Sequence, residues 1–158
     1  MRIVGGRFAG RALTSPNDFR VRPTAEKVRI RLLDLFAGTG ALGLEAMSRG
    51  AKSVDFVETR PSSLHALRAN VGLLRLSKRV RIFKRDALPF AAALARDSYD
   101  IAFVDPPYES RMLDRAIDTW RERAFSRVLA VEHARGHELP AGAHRESNEE
   151  TSITIYRI

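Results

Sequence analysis

Arg31-Leu32-Leu33-Asp34-Leu35-Phe36-Ala37-Gly38-Thr39-Gly40-Ala41-Leu42-Gly43 is the stretch that decides the fold. Its first six residues are mostly apolar with one embedded acid, the pattern of a strand buried on both faces of a parallel sheet. Gly38, Gly40 and Gly43 follow, then Leu44-Glu45-Ala46-Met47-Ser48-Arg49, with Gly50 placed to stop a helix. Strand, glycine loop and helix in that order form a setting for ligand binding. The glycines let a ligand approach the backbone, and the helix N-terminus offers free N–H groups. A glycine pattern of this kind is weak by itself, so its neighbours along the chain must carry the rest.

Downstream, apolar runs alternate with helical spacing. Ser53–Val57 reads as a strand ending in Glu58, and a helix from about Pro61 to Leu74 carries Leu64, Leu67, Val71 and Leu74 at helical spacing. Val80–Lys84 is a third strand, ending near Asp86-Ala87, with a helix expected over Phe90–Arg96. The fourth strand runs from Asp100 into Asp105-Pro106-Pro107-Tyr108. A helix over Met112–Arg123, a fifth strand at Val128–Val131 and an alternating edge or hairpin strand at Thr151–Arg157 complete the chain. The expected class is α/β: a doubly wound, Rossmann-like sheet with a C-terminal antiparallel edge and a short basic N-terminal extension.

Upstream lie a short strand at Arg2-Ile3-Val4, a Gly5-Gly6 turn, a loop, and a helix opened by Arg22-Pro23-Thr24. That helix meets the Arg31 strand with no loop between them, although such connections normally use several residues. Either a segment is missing near Ile30–Arg31 or the helix is truncated. Residues 1–30 are read as a basic arm of the same domain, and residues 31–158 as its main body.

A chain of 158 residues, 44% hydrophobic, suits one domain with a proper core. The lack of cysteine excludes disulfides and cysteine-held metals and fits a cytoplasmic location. No apolar run approaches membrane-spanning length, and no signal-peptide core is evident at the N-terminus. The net charge is +8, and Met1–Arg31 holds +6 of it, through eight Arg and Lys residues against Asp18 and Glu26. A polyanion, usually nucleic acid, is the expected partner. Arg7, Arg11, Arg20 and Arg22 are the expected phosphate contacts, with Arg22 equally suited to pair with an acid near the cleft. Among the histidines only His133-x-x-x-His137 has ligand-like spacing, and it lacks a third ligand, so no metal is expected. Trp120 reads as core.

Ligands of open α/β sheets bind outside the carboxyl ends of the strands, where Glu58, Asp86 and Asp105 would share one cleft. Glu58 falls about twenty residues beyond the glycine loop, where an acid usually takes ribose hydroxyls. Asp34 precedes the loop, where it would repel a phosphate and welcome a cationic amino acid. That favours S-adenosylmethionine over a dinucleotide. The plainer alternative makes these acids helix caps and turn residues. Asp105-Pro106-Pro107-Tyr108 has two readings as well: a stiff turn, or a clamp with two acceptors for a planar amine and a ring to stack on it.

These motifs together resemble the class I S-adenosylmethionine-dependent methyltransferases of the amino-methylating type. Arg2-Ile-Val-Gly-Gly-Arg-Phe-Ala-Gly-Arg11 and Arg22-Pro-Thr24 narrow the resemblance to the RsmD-type methyltransferases of guanine N2 in small-subunit (16S) ribosomal RNA. The resemblance implies that Asp34, Gly38 and Gly40 hold the methionine end of the cofactor, with Phe36 also among its contacts. It further assigns Glu58 to the ribose and Asp86 with Ala87 to the adenine. Asp105, Pro106, Pro107 and Tyr108 would grip the target base, Asp105 also touching the cofactor. The implied partner is ribosomal RNA or an assembling small subunit, acted on by a monomer without metal or membrane. Two features depart from the family pattern: the short link before Arg31, and Thr39 where serine is commoner. The alternatives are a DNA adenine-N6 methyltransferase and a catalytically silent RNA-binding relative.

Overall fold

The computed structural model describes residues 30–107 and 111–158. They fold as β1 (Arg31–Leu35), α1 (Ala41–Ser48), β2 (Ser53–Glu58), α2 (Pro61–Leu73), β3 (Val80–Lys84), α3 (Ala87–Ala92), β4 (Tyr99–Val104), α4 (Met112–Arg123), β5 (Ser126–Ala134), β6 (His144–Ser147) and β7 (Thr151–Arg157). The seven strands lie in the order β3-β2-β1-β4-β5-β7-β6. The strands from β3 through β5 in that order are parallel, and β7 runs antiparallel between β5 and β6. Connections leave β1 toward β2 and later return to its other side at β4, so the strand order reverses at β1/β4. A crevice opens at such a reversal, outside the carboxyl ends of the strands.

Successive residues of β1 feed opposite faces. Leu33 and Leu35 join Val104, Leu129, Ile117, Trp120 and Phe125 beneath α3 and α4. Leu32 joins Leu44, Met47, Val54, Phe56, Leu67 and Val71 beneath α1 and α2. Burial on both faces is why β1 reads as an unbroken apolar run rather than an alternating one. Gly43 lets α1 sit flush on β2, for a Cβ there would lie 2.3 Å from Phe56 Cε1 and 2.8 Å from Val54 Cγ1. Trp120 is buried as expected, its indole N–H donating to the Ser126 carbonyl at 2.8 Å.

Three expectations change. α3 covers Ala87–Ala92 instead of Phe90–Arg96. Pro89 sits in its first turn, where a missing N–H costs nothing because no intrahelical acceptor exists. β5 extends from Ser126 to Ala134, well past Val131. Finally, Thr151–Arg157, expected as an edge or hairpin strand, is a hairpin strand: β7 pairs antiparallel with β6, His144-Arg145-Glu146-Ser147, a strand not expected, which forms the edge and is exposed along its whole length. A short polar edge discourages pairing with another chain. The strand expected at Arg2-Ile3-Val4 and the helix expected from Thr24 lie outside the described residues.

Candidate active site

A cleft of about 430 Å³ opens at the carboxyl ends of the central strands, lined in part by Phe36, Glu58, Asp86, Ala87, Asp105 and Pro106. Parallel pairing of β3, β2, β1 and β4 puts these strand ends side by side, so acids distant in sequence share one wall.

Glu58 ends β2 and ties two loops together. Its Oε2 accepts the Gly38 N–H at 2.8 Å, while Oε1 accepts the N–H groups of Thr59 at 2.7 Å and Arg60 at 2.8 Å. Burial pushes the carboxyl up. The N–H groups of Arg60, Gly38 and Thr59, and then the Arg60 side chain, outweigh burial and hold it below the usual range. Glu58 is therefore a fixed carboxylate with acceptor capacity remaining on Oε2.

The loop itself turns through left-handed residues: φ is 61° at Phe36, 56° at Gly38 and 84° at Gly40. At Gly40 the glycine is required twice over, since a Cβ would also fall 2.4 Å from Leu67 Cδ1. Nothing lies within 4 Å of a Cβ built on Gly38, so that side of the loop is open to a ligand.

Asp34 is not on the cleft wall. It is 2% exposed, and its Oδ2 accepts the Gly43 N–H at 2.9 Å, which braces the start of α1 from behind the loop. Burial pushes its carboxyl up to about 8 against the pull of that N–H, and the charges of Asp105 and Glu58 add to the rise. Asp86 precedes α3 and is exposed at the cleft, with Ala87 buried beside it. Asp105 is partly buried, Pro106 buried and Pro107 exposed. Tyr108, Arg7, Arg11, Arg20 and Arg22 lie outside the described residues.

The two spaced histidines have separate partners. His133 is buried, with Nε2 2.9 Å from Thr154 Oγ1, whereas His137 meets Asp114 Oδ1 at 3.1 Å. Among the described residues no group of three or more candidate ligands could hold a metal ion, and no helix is long and apolar enough to cross a membrane.

Several lining residues escaped sequence reasoning. Arg60 and Arg85 border the cleft next to Glu58 and Asp86. Glu132 lines a second, small cavity with Pro106, Pro107, His133 and His137. A signal for it existed. Glu132 follows the apolar run Val128–Val131 as Glu58 follows Ser53–Val57 and Asp105 follows Ile101–Val104.

Comparison with known proteins shows the family and the fold. A family model described as Conserved hypothetical protein 95 matches residues 1–151. Ribosomal RNA small subunit methyltransferase D of Escherichia coli strain K12 is 34% identical over 138 residues, covering 79% of this chain and 69% of its own. A Bacillus subtilis protein described as a candidate rRNA methyltransferase, YlbH, is 30% identical over 181 residues, covering 99% of this chain and 98% of its own. That span exceeds the 158 residues here, so the relative carries residues within it that have no counterpart in this chain. A solved Escherichia coli structure described as a candidate methyltransferase, yhhF, superimposes with a TM-score of 0.72 at 28% identity, covering 99% of this chain and 97% of that one.

Proposed function

We propose that this chain, which belongs to the Conserved hypothetical protein 95 family of RsmD-type rRNA methyltransferases, transfers a methyl group from S-adenosylmethionine to the N2 amine of a guanine in small-subunit ribosomal RNA. The observation that carries this reading is the place where Asp105-Pro106-Pro107 leaves β4, at the lip of a cleft that also holds Glu58 and Asp86.

The donor set suits the cofactor. Glu58 has acceptor capacity for ribose hydroxyls, Asp86 offers an acceptor for an adenine amine, and the open side of Gly38 leaves room for a methionine backbone. The cleft lining sets three acids, Glu58, Asp86 and Asp105, against Arg60 and Arg85, and the acids favour a cationic ligand. Asp34 serves by holding the glycine loop in place through Gly43. When bound, S-adenosylmethionine supplies the activated methyl group.

The remaining work falls to the chain. A guanine amine is a poor nucleophile because its lone pair is delocalised into the ring. The Asp105 carboxylate and the Pro106 carbonyl would accept its two N–H groups, drawing the nitrogen toward tetrahedral geometry. Proline rigidity fixes the carbonyl in advance, and such positioning supplies much of a rate enhancement. Tyr108 would stack on a base taken out of its RNA context, with the basic arm around Arg7, Arg11, Arg20 and Arg22 on the phosphates. Asp105→Ala is expected to lower tritiated methyl transfer to small-subunit RNA at least ~100-fold. Full transfer by the variant would refute the assignment, and transfer to DNA in preference to RNA would refute the substrate.

A further inference from the structure

Asp105 and Pro106 can hold any planar exocyclic amine, so the clamp alone does not choose between guanine and adenine. We infer that Glu132 makes that choice, by accepting the N1–H of the target guanine beside the amine held at Asp105. The inference rests on the guanine-N2 reading and goes one step deeper into the same site.

The placement follows from strand register. β4 and β5 are parallel neighbours, with Val104 paired to Val131. Both valines are buried in the same core, so Asp105 and Glu132, each the next residue, leave it together. Adjacent strands lie about 4.8 Å apart, which brings the two carboxylates within reach of neighbouring atoms on one base edge. Glu132 is partly buried and shares a small cavity with Pro106 and Pro107, the two prolines that follow Asp105.

The chemistry separates the purines. Guanine presents N1–H and N2–H as adjacent donors, which two carboxylates can accept together. Adenine presents an amine beside an N1 lone pair, which would oppose the Glu132 carboxylate. A buried acceptor left facing another acceptor is strongly unfavourable, and sites built on such hydrogen bonds discriminate far better than sites built on shape.

Small-subunit RNA carrying 2-aminopurine in place of the guanine at the mapped site is the probe, because it keeps the N2 amine but has a lone pair at N1. The wild-type protein is expected to prefer guanine by at least ~100-fold in kcat/KM. Glu132→Gln, whose amide can present its NH₂ to N1, is expected to shrink that preference at least ~10-fold while leaving S-adenosylmethionine affinity by calorimetry unchanged. A wild-type ratio near one overturns the inference, and this readout needs no variant to fold. An unchanged ratio in Glu132→Gln, with N2-methylguanosine formed by the wild type, overturns the inference alone. Wild-type methylation of adenine instead of guanine overturns both the inference and the reading on which it rests.

Discussion

Replacing Asp34 by asparagine isolates the effect of burying an acid beneath the glycine loop. In the folded protein the carboxyl titrates near 8 against a usual value of 3.8, burial being the largest cause. At about 1.4 kcal/mol per pKa unit, that difference corresponds to about 6 kcal/mol as an upper bound. Because the folded value is raised, the native state keeps a proton that the unfolded chain releases. Stability from this group is complete below pH 4, declines across pH 4–8 and stays low above. The amide of the Asp34→Asn variant keeps an acceptor for the Gly43 N–H but cannot titrate. Urea unfolding of both proteins at pH 5, 6 and 7 should therefore show the variant gaining on the wild type by about 1.4 kcal/mol per pH unit, or about 3 kcal/mol in all. Taking the difference between the proteins cancels the titrating groups that do not interact with Asp34, which leaves Asp105 and Glu58 as the groups coupled to it. Parallel profiles would mean that Asp34 is ionised when folded, which would refute a neutral acid beneath the loop.

Two further changes probe the same loop. Gly43→Ala puts a methyl 2.3 Å from Phe56 Cε1, so α1 must lift off β2. It should cost about 1–3 kcal/mol in denaturant unfolding, and an unchanged midpoint would show slack that this packing does not have. Glu58→Gln turns an amide NH₂ toward N–H groups now served by a carboxylate. Cofactor affinity by calorimetry should fall at least ~10-fold, with about 1–3 kcal/mol of stability lost, and unaltered binding would remove Glu58 from the cofactor site.

Much of the fold was legible because strands buried on both faces and helices buried on one leave different local periodicities. β3 and α4 matched their expected bounds, β1, β2 and α2 nearly so, and Trp120 proved core as read. The failures have local causes. α3 starts three residues before the expected Phe90, with Pro89 in a first turn that tolerates it. Polar His144–Ser147 carries no strand signature, because an exposed edge strand gains nothing from apolar alternation. β7, read as an edge or hairpin strand, is the hairpin partner of that edge, while its place beside β5 is a long-range pairing.

The sequence by itself determined that strands alternate with helices, that glycines follow the first strand, and that acids stand at strand ends. All of these are properties of short windows, where spacing and backbone preference act locally. Only the tertiary structure decided what each acid faces. Parallel pairing brings Glu58 to the Gly38 N–H, encloses Asp34 behind the loop, and sets Glu132 beside the prolines that follow Asp105. Those placements depend on hydrogen bonding between strands far apart in the chain, and burial, which no short window contains, fixes which carboxyl keeps its charge.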